Sequence, residues 1–110
     1  MRIGRTSLVV LAMILATSAS ALDSSGWPTT VDVATHDIVS QLSHSEKLHI
    51  KQMTQSELVL LHFSLGLKIR NQFGFWSGNE KLLMSACGKP CSPDDASAII
   101  IEAVWRDIRK

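Results

Sequence analysis

The residues best equipped for chemistry lie between His62 and Asn79. Four of the six aromatic side chains, Phe63, Phe73, Phe75 and Trp76, fall in this stretch with His62, Ser64, Lys68, Arg70 and Asn71. On a helix His62, Gly66 and Arg70 stand at i, i+4 and i+8, one above another on a single face. A glycine inside a helix costs about 1 kcal/mol against alanine, so Gly66 is expected to serve close approach of another backbone or of a ligand. Arg70 brings a planar donor fork that matches a carboxylate. Two uses are open to it. With Asn71 and Trp76 it lines a pocket for an anionic group, or it caps helix carbonyls and pairs with Asp94 or Asp95, latching the last helix to the central one.

Other catalytic spacings fail. His62-Phe63-Ser64-Leu65-Gly66 keeps the end of a Gly-x-Ser-x-Gly motif but lacks its first glycine, and it falls in a helix pattern rather than on a strand-to-helix elbow. The histidines at 36, 44, 49 and 62 have no i, i+4 pair and no zinc-type partner spacing, so no metal site is expected, nor any cofactor. His36, His44 and His49 read as solvent-facing and His62 as a hydrogen-bonded interior residue. Adjacent Asp94 and Asp95 diverge by about 100 degrees on a helix, which suits neither to paired acid and base work. Cys87 and Cys91 are the only cysteines. Their Cys-Gly-Lys-Pro-Cys spacing exceeds the two-residue gap of redox motifs, and no βαβ pattern surrounds them, so they read as a local disulfide.

The elements that must position these groups are helical. Val31, Val33 or Ala34, Ile38 and Leu42 recur at steps of three or four, giving a helix near 31–42. Ser43 with Glu46, and Thr54 with Glu57, carry the capping-box spacing of a hydroxyl and a returning carboxylate. The first predicts a short helix over 44–52 with Leu48 and Met53 inward. The second predicts the longest helix, 55–72, with Leu58, Leu61, Leu65 and Ile69 as its stripe. Val59, Leu60, Phe63 and Leu67 make it apolar nearly all round in its first half, as expected of a helix in the middle of a bundle. Gly74 is placed to end it in a left-handed turn, Ser77-Gly78-Asn79 forms a turn, and 80–86 a short helix closed by Gly88 and Pro90. Ser92, Pro93, Asp94 and Asp95 open the last helix, with the two carboxylates at its positive end. Ala96, Ile99, Ile100, Ala103, Val104 and Ile108 supply its buried face. The fold expected is all-α, a small bundle of about five helices with one local disulfide.

The chain has 110 residues, with 11 Lys+Arg against 10 Asp+Glu, which bounds it to one small domain. Residues 1–21 read as a secretory signal: Arg2 and Arg5, an apolar run from Leu8 to Ala16, then Ala19-Ser20-Ala21 as a cleavage site. That run is far shorter than the ~20 residues of a membrane span, and no later apolar run exceeds four residues. Residues 22–30 read as an extended arm held down by Trp27, and 31–110 as the single helical domain. Both basic residues of the signal leave with it, so the mature chain is slightly acidic, a balance that excludes nucleic acid as the partner.

The segment from His62 through Ile69-Arg70-Asn71 and Phe73-Gly74-Phe75-Trp76, then Gly78-Asn79 and Pro93-Asp94-Asp95-Ala96-Ser97, resembles a family of small bacterial domains of uncharacterised function. Phe75 stands where that family usually has leucine. The resemblance covers roughly residues 30 to 109 and implies that Arg70, Asn71, Trp76, Asp94, Asp95 and Ser97 form one constellation, a structural latch or the floor of a site. It carries no activity with it. The expected function is therefore an exported, periplasmic or secreted, non-catalytic module that binds a protein partner in the cell envelope. The alternatives are an immunity-type inhibitor of an exported toxin, and a small-ligand or enzyme site around Arg70, Asn71 and Trp76.

Overall fold

A computed structural model describes residues 26–110; the signal expected at 1–21 and the start of the arm, 22–25, lie outside the described residues. Among the described residues five α-helices follow one another: α1 (Val31–Gln41), α2 (His44–Lys51), α3 (Leu65–Gln72), α4 (Glu80–Cys87) and α5 (Pro93–Ile108). Two 3-10 segments, η1 (Gln55–Leu61) and η2 (Phe75–Ser77), sit on either side of α3. No strand occurs among the described residues, and Cys87 is bonded to Cys91. The domain is all-α with one local disulfide.

Hydroxyl side chains start α1, α2 and α5 where the sequence placed them. Thr30 Oγ1 accepts from Val33 N, Ser43 Oγ from Glu46 N at 3.1 Å, and Ser92 Oγ from Asp95 N at 3.1 Å. Glu46 returns the bond, its Oε1 accepting from Ser43 N at 2.8 Å. Each such cap satisfies a donor that the helix leaves orphaned, worth about 1 kcal/mol.

The last helix, α5, is the axis of the bundle. It packs against α1, α2, η1, α3 and α4 in turn, and its Ala96, Ile100 and Val104 are fully buried beside Ala34 and Ile38 of α1, Ile69 of α3 and Leu82 of α4. Side-chain bonds close its far end. Trp105 Nε1 donates to the Met53 carbonyl at 2.9 Å, and Arg109, stacked on the Trp105 ring at 4.7 Å, donates to the Lys51 carbonyl at 3.0 Å.

Three expectations are corrected. The single helix predicted over 55–72 is divided: η1 ends at Leu61, the chain turns through 62–64, with Ser64 at φ −110° and ψ −88°, and α3 starts at Leu65. Three residues per turn lets Leu58 and Leu61 share the inner side of η1, while Val59 and Leu60 face outward at 73% and 71% exposure. This segment is thus a border of the bundle, and α5 holds the centre. On α2, Ile50 is the inward residue and Leu48 is exposed. On α5, Ile101 is buried in place of Ile99, which is partly exposed, because a helix embraced by neighbours on several sides buries more than one stripe.

Candidate functional site

Arg70 comes from the last turn of α3, and the residue is only 3% exposed. Its Nη1 donates to Ser97 Oγ at 2.9 Å and its Nη2 to the His62 carbonyl at 3.0 Å. Nε lies 3.6 Å from Asp94 Oδ1, and that carboxylate faces solvent. Ser97, fully buried on α5, passes the chain on by donating to the Asp94 carbonyl at 3.0 Å. One cation therefore joins the turn after η1, the end of α3 and the start of α5. A buried guanidinium is stabilised only when its donors are filled in this way.

Gly66 makes the arrangement possible. A Cβ on residue 66 would stand 2.8 Å from Arg70 Nη1 and 3.5 Å from Ile101 Cδ1. The close approach expected at this glycine is thus by a side chain of its own helix, one turn on. His62 contributes its carbonyl; the residue is half-buried at the break between η1 and α3, and its ring meets the Phe63 ring edge-on at 4.7 Å.

The remaining residues of the expected constellation lie elsewhere. Asp95 is exposed, makes no ion pair among the described residues, and gives its backbone N–H to the Ser92 cap. Asn71 and Trp76 form a separate exposed pair in which Trp76 Nε1 donates to Asn71 Oδ1 at 3.1 Å. Asn79 is 2% exposed and acts as a hub: its Nδ2 donates to the Pro28 carbonyl at 3.0 Å and the Phe73 carbonyl at 2.8 Å, while its Oδ1 accepts from Leu82 N at the start of α4. Beside it Gly74, at φ +71°, lets the Trp27 indole lie where a Cβ would project. The arm is fastened to the domain at these two points.

A second region was not singled out by residue chemistry. Val59, Leu60 and Phe63 are 73%, 71% and 84% exposed, and Leu67 on the outer face of α3 is 45% exposed. Isolated surface apolar groups are ordinary, but a run of them within nine residues marks a contact surface. Next to this edge a groove of about 510 Å³ opens between α2 and α3. Its floor is Leu42, Ile50, Leu61 and Leu65; Glu46 stands on the α2 wall and Lys68 on the α3 wall. The bonds from Ser43 hold the Glu46 carboxyl below the usual glutamate range, helped by the charge of Lys68, and those from Thr54 do the same for Glu57. The signal for the edge was present in the sequence as Leu58-Val59-Leu60-Leu61-His62-Phe63, more apolar residues in a row than one helix face can hide.

Among the described residues no group of histidine, cysteine and carboxylate side chains is placed to hold a metal ion, and no helix is long and apolar enough to cross a membrane. No curated protein and no solved structure matches the chain. Residues 27–108 match the family described as a domain of unknown function (DUF6794), and the chain belongs to that family.

Proposed function

We propose that this chain is an exported, non-catalytic interaction module that docks an envelope protein through the edge formed by Val59, Leu60 and Phe63. The carrying observation is the exposure of these three side chains, each above 70%, in a domain whose core holds an arginine at 3%. Export is supported by the pattern of residues 1–21 and by the Cys87–Cys91 bond, which persists in oxidising compartments. The burial of Arg70 and its contacts with Ser97, the His62 carbonyl and Asp94 favour the latch over an anion pocket.

The test is photo-crosslinking in cells that express the protein, with the reactive group placed at position 63 and, as control, at exposed Lys81. A discrete adduct from position 63 that is absent at 81, and that disappears when Leu60 is changed to Asp, is the expected result. Absence of any adduct from positions 59, 60 and 63 in a folded protein overturns the reading.

A further inference from the structure

We infer that the partner taken by this edge is a second copy of the same chain, related by a twofold axis, with the Leu60 and Phe63 knob of each protomer seated in the groove of the other. The inference rests on the edge being a docking surface, as proposed above, and names its occupant.

Knob and groove occur side by side. Phe63, at 84% exposure, lies in sequence between Leu61, which floors the groove, and Ser64, which lines it. A surface that carries a protrusion next to a matching depression is self-complementary under a twofold rotation, the commonest symmetry of small oligomers. The groove's 510 Å³ falls within the ~300–1,000 Å³ of clefts that enclose small organic molecules, so its volume has room for a phenyl ring and a leucine side chain. Its floor is apolar, as such an occupant requires.

The charges fit as well. Glu46 and Lys68 oppose one another across the groove, on α2 and α3, and Lys68 makes no ion pair among the described residues. In the dimer inferred here, Glu46 of each protomer faces Lys68 of the other, so the pairing occurs twice. A membrane surface or an acidic partner would find only one cation here, with a carboxylate opposite it. Two aromatic knobs cover roughly 300–500 Å², and the groove walls with Leu60 extend this toward the ~1,200 Å² at the lower end of specific interfaces.

Sedimentation equilibrium of the protein as the cell processes it, over a wide concentration range, tests this directly. Wild type is expected to dimerise. Phe63→Ala removes both knobs and weakens self-association by about thirtyfold for each, the scale of a central contact residue, and so by roughly a thousandfold for the pair. Ser45→Trp, on the exposed first turn of α2, obstructs the groove and does the same. Mixing the two variants restores a heterodimer, weaker than wild type, because the knob of one still fits the groove of the other. Lys68→Glu weakens the dimer more at low salt than at high salt. Circular dichroism confirms that each variant is folded. A wild-type protein that stays monomeric to about millimolar concentration overturns the inference, as does a folded Phe63→Ala protein that dimerises like wild type, or a mixture that forms no heterodimer. If the protein is monomeric while position 63 still gives its crosslinked adduct in cells, the second copy is rejected and the interaction module stands; loss of both rejects both.

Discussion

Two regions of this domain invert the usual distribution of side chains, and they do so on opposite grounds. Around Arg70 a charge has been taken inside, and every contact it makes is internal to the fold. Around Phe63 apolar surface has been left outside, and nothing within the described chain covers it. The polar residues that look chemical in the sequence hold the bundle together, whereas the aliphatic run that looks like core faces outward. Substitutions separate the two roles: in the interior they change stability, and at the edge they change association.

The largest loss of stability is expected at the hub that holds the arm. Asn79→Ala strips the N-cap of α4 and leaves the Pro28 and Phe73 carbonyls without their donor in a buried site. A lost cap and two unpaired buried groups together cost about 3 kcal/mol, read as a shift in the denaturation midpoint at unchanged slope. Asn79→Asp restores the acceptor for Leu82 N but sets a buried carboxyl oxygen against the Pro28 and Phe73 carbonyls, so it is not expected to recover the loss.

Gly66 and Arg70 come next, and the sign of one effect depends on the other. Gly66→Ala alone forces the Arg70 fork away from Ser97 and destabilises the domain by ~1–2 kcal/mol. After Arg70→Met the obstruction is gone, and the same Gly66→Ala change gains the helix propensity of alanine, up to ~1 kcal/mol of stabilisation. A double-mutant cycle by chemical denaturation reads this reversal as a coupling above 1 kcal/mol. Equal effects of Gly66→Ala in both backgrounds would mean that the glycine serves something other than Arg70.

Reducing the disulfide is expected to cost ~2 kcal/mol by the chain-entropy relation, because Cys87 and Cys91 close a short loop at the end of α4. Thermal melts with and without reductant measure it. This bond stiffens the α4 to α5 connection, and its loss leaves the Arg70 network in place.

What the sequence conveyed and what it withheld follow the same division. Helix starts were legible because a cap is local: Ser43 with Glu46 and Ser92 with Pro93 announce themselves within four residues. The pairing of Arg70 with the start of α5 was legible from charge at helix ends, and Asp94 is the carboxylate that meets it. The break at 62–64 was not legible, because it depends on which tertiary partner claims the His62 carbonyl, and that partner is Arg70, reached only once Gly66 has cleared the way. Periodicity sees Leu58, Leu61, Leu65 and Ile69 as one stripe whether or not the helix is continuous. The centrality of α5 was hidden for a related reason: four aliphatic residues in a row, Ala98 to Ile101, do not say how many neighbours surround them. Asn79 read as a turn residue, since its three buried partners are spread from residue 28 to residue 82.

Acid sharpens the contrast at the surface. Glu46 and Glu57 have lowered pKa values through the bonds from Ser43 and Thr54. A carboxyl whose pKa is lower folded than unfolded adds stability above its unfolded value, near 4.3, and that part is lost as pH falls through the lowered value. Stability is therefore expected to decline below about pH 5, and Glu46→Gln with Glu57→Gln to flatten the decline. The effect is small, since both groups are in full contact with solvent. An unchanged pH profile in the double variant would assign the acid sensitivity to other carboxylates.

The smallest effect on folding is expected where the side chains are most conspicuously apolar. Phe63→Ser and Leu60→Ser remove groups that make few contacts inside the folded domain, so the isolated protomer should keep its stability within ~0.5 kcal/mol. A core leucine or phenylalanine treated in the same way would cost several times that. Measured at protein concentrations too low for self-association, an unchanged midpoint places these residues outside the protomer's own folding energetics and leaves association as the role proposed for them. A loss of 2 kcal/mol or more under those conditions would return them to the core and remove the contrast between the two regions.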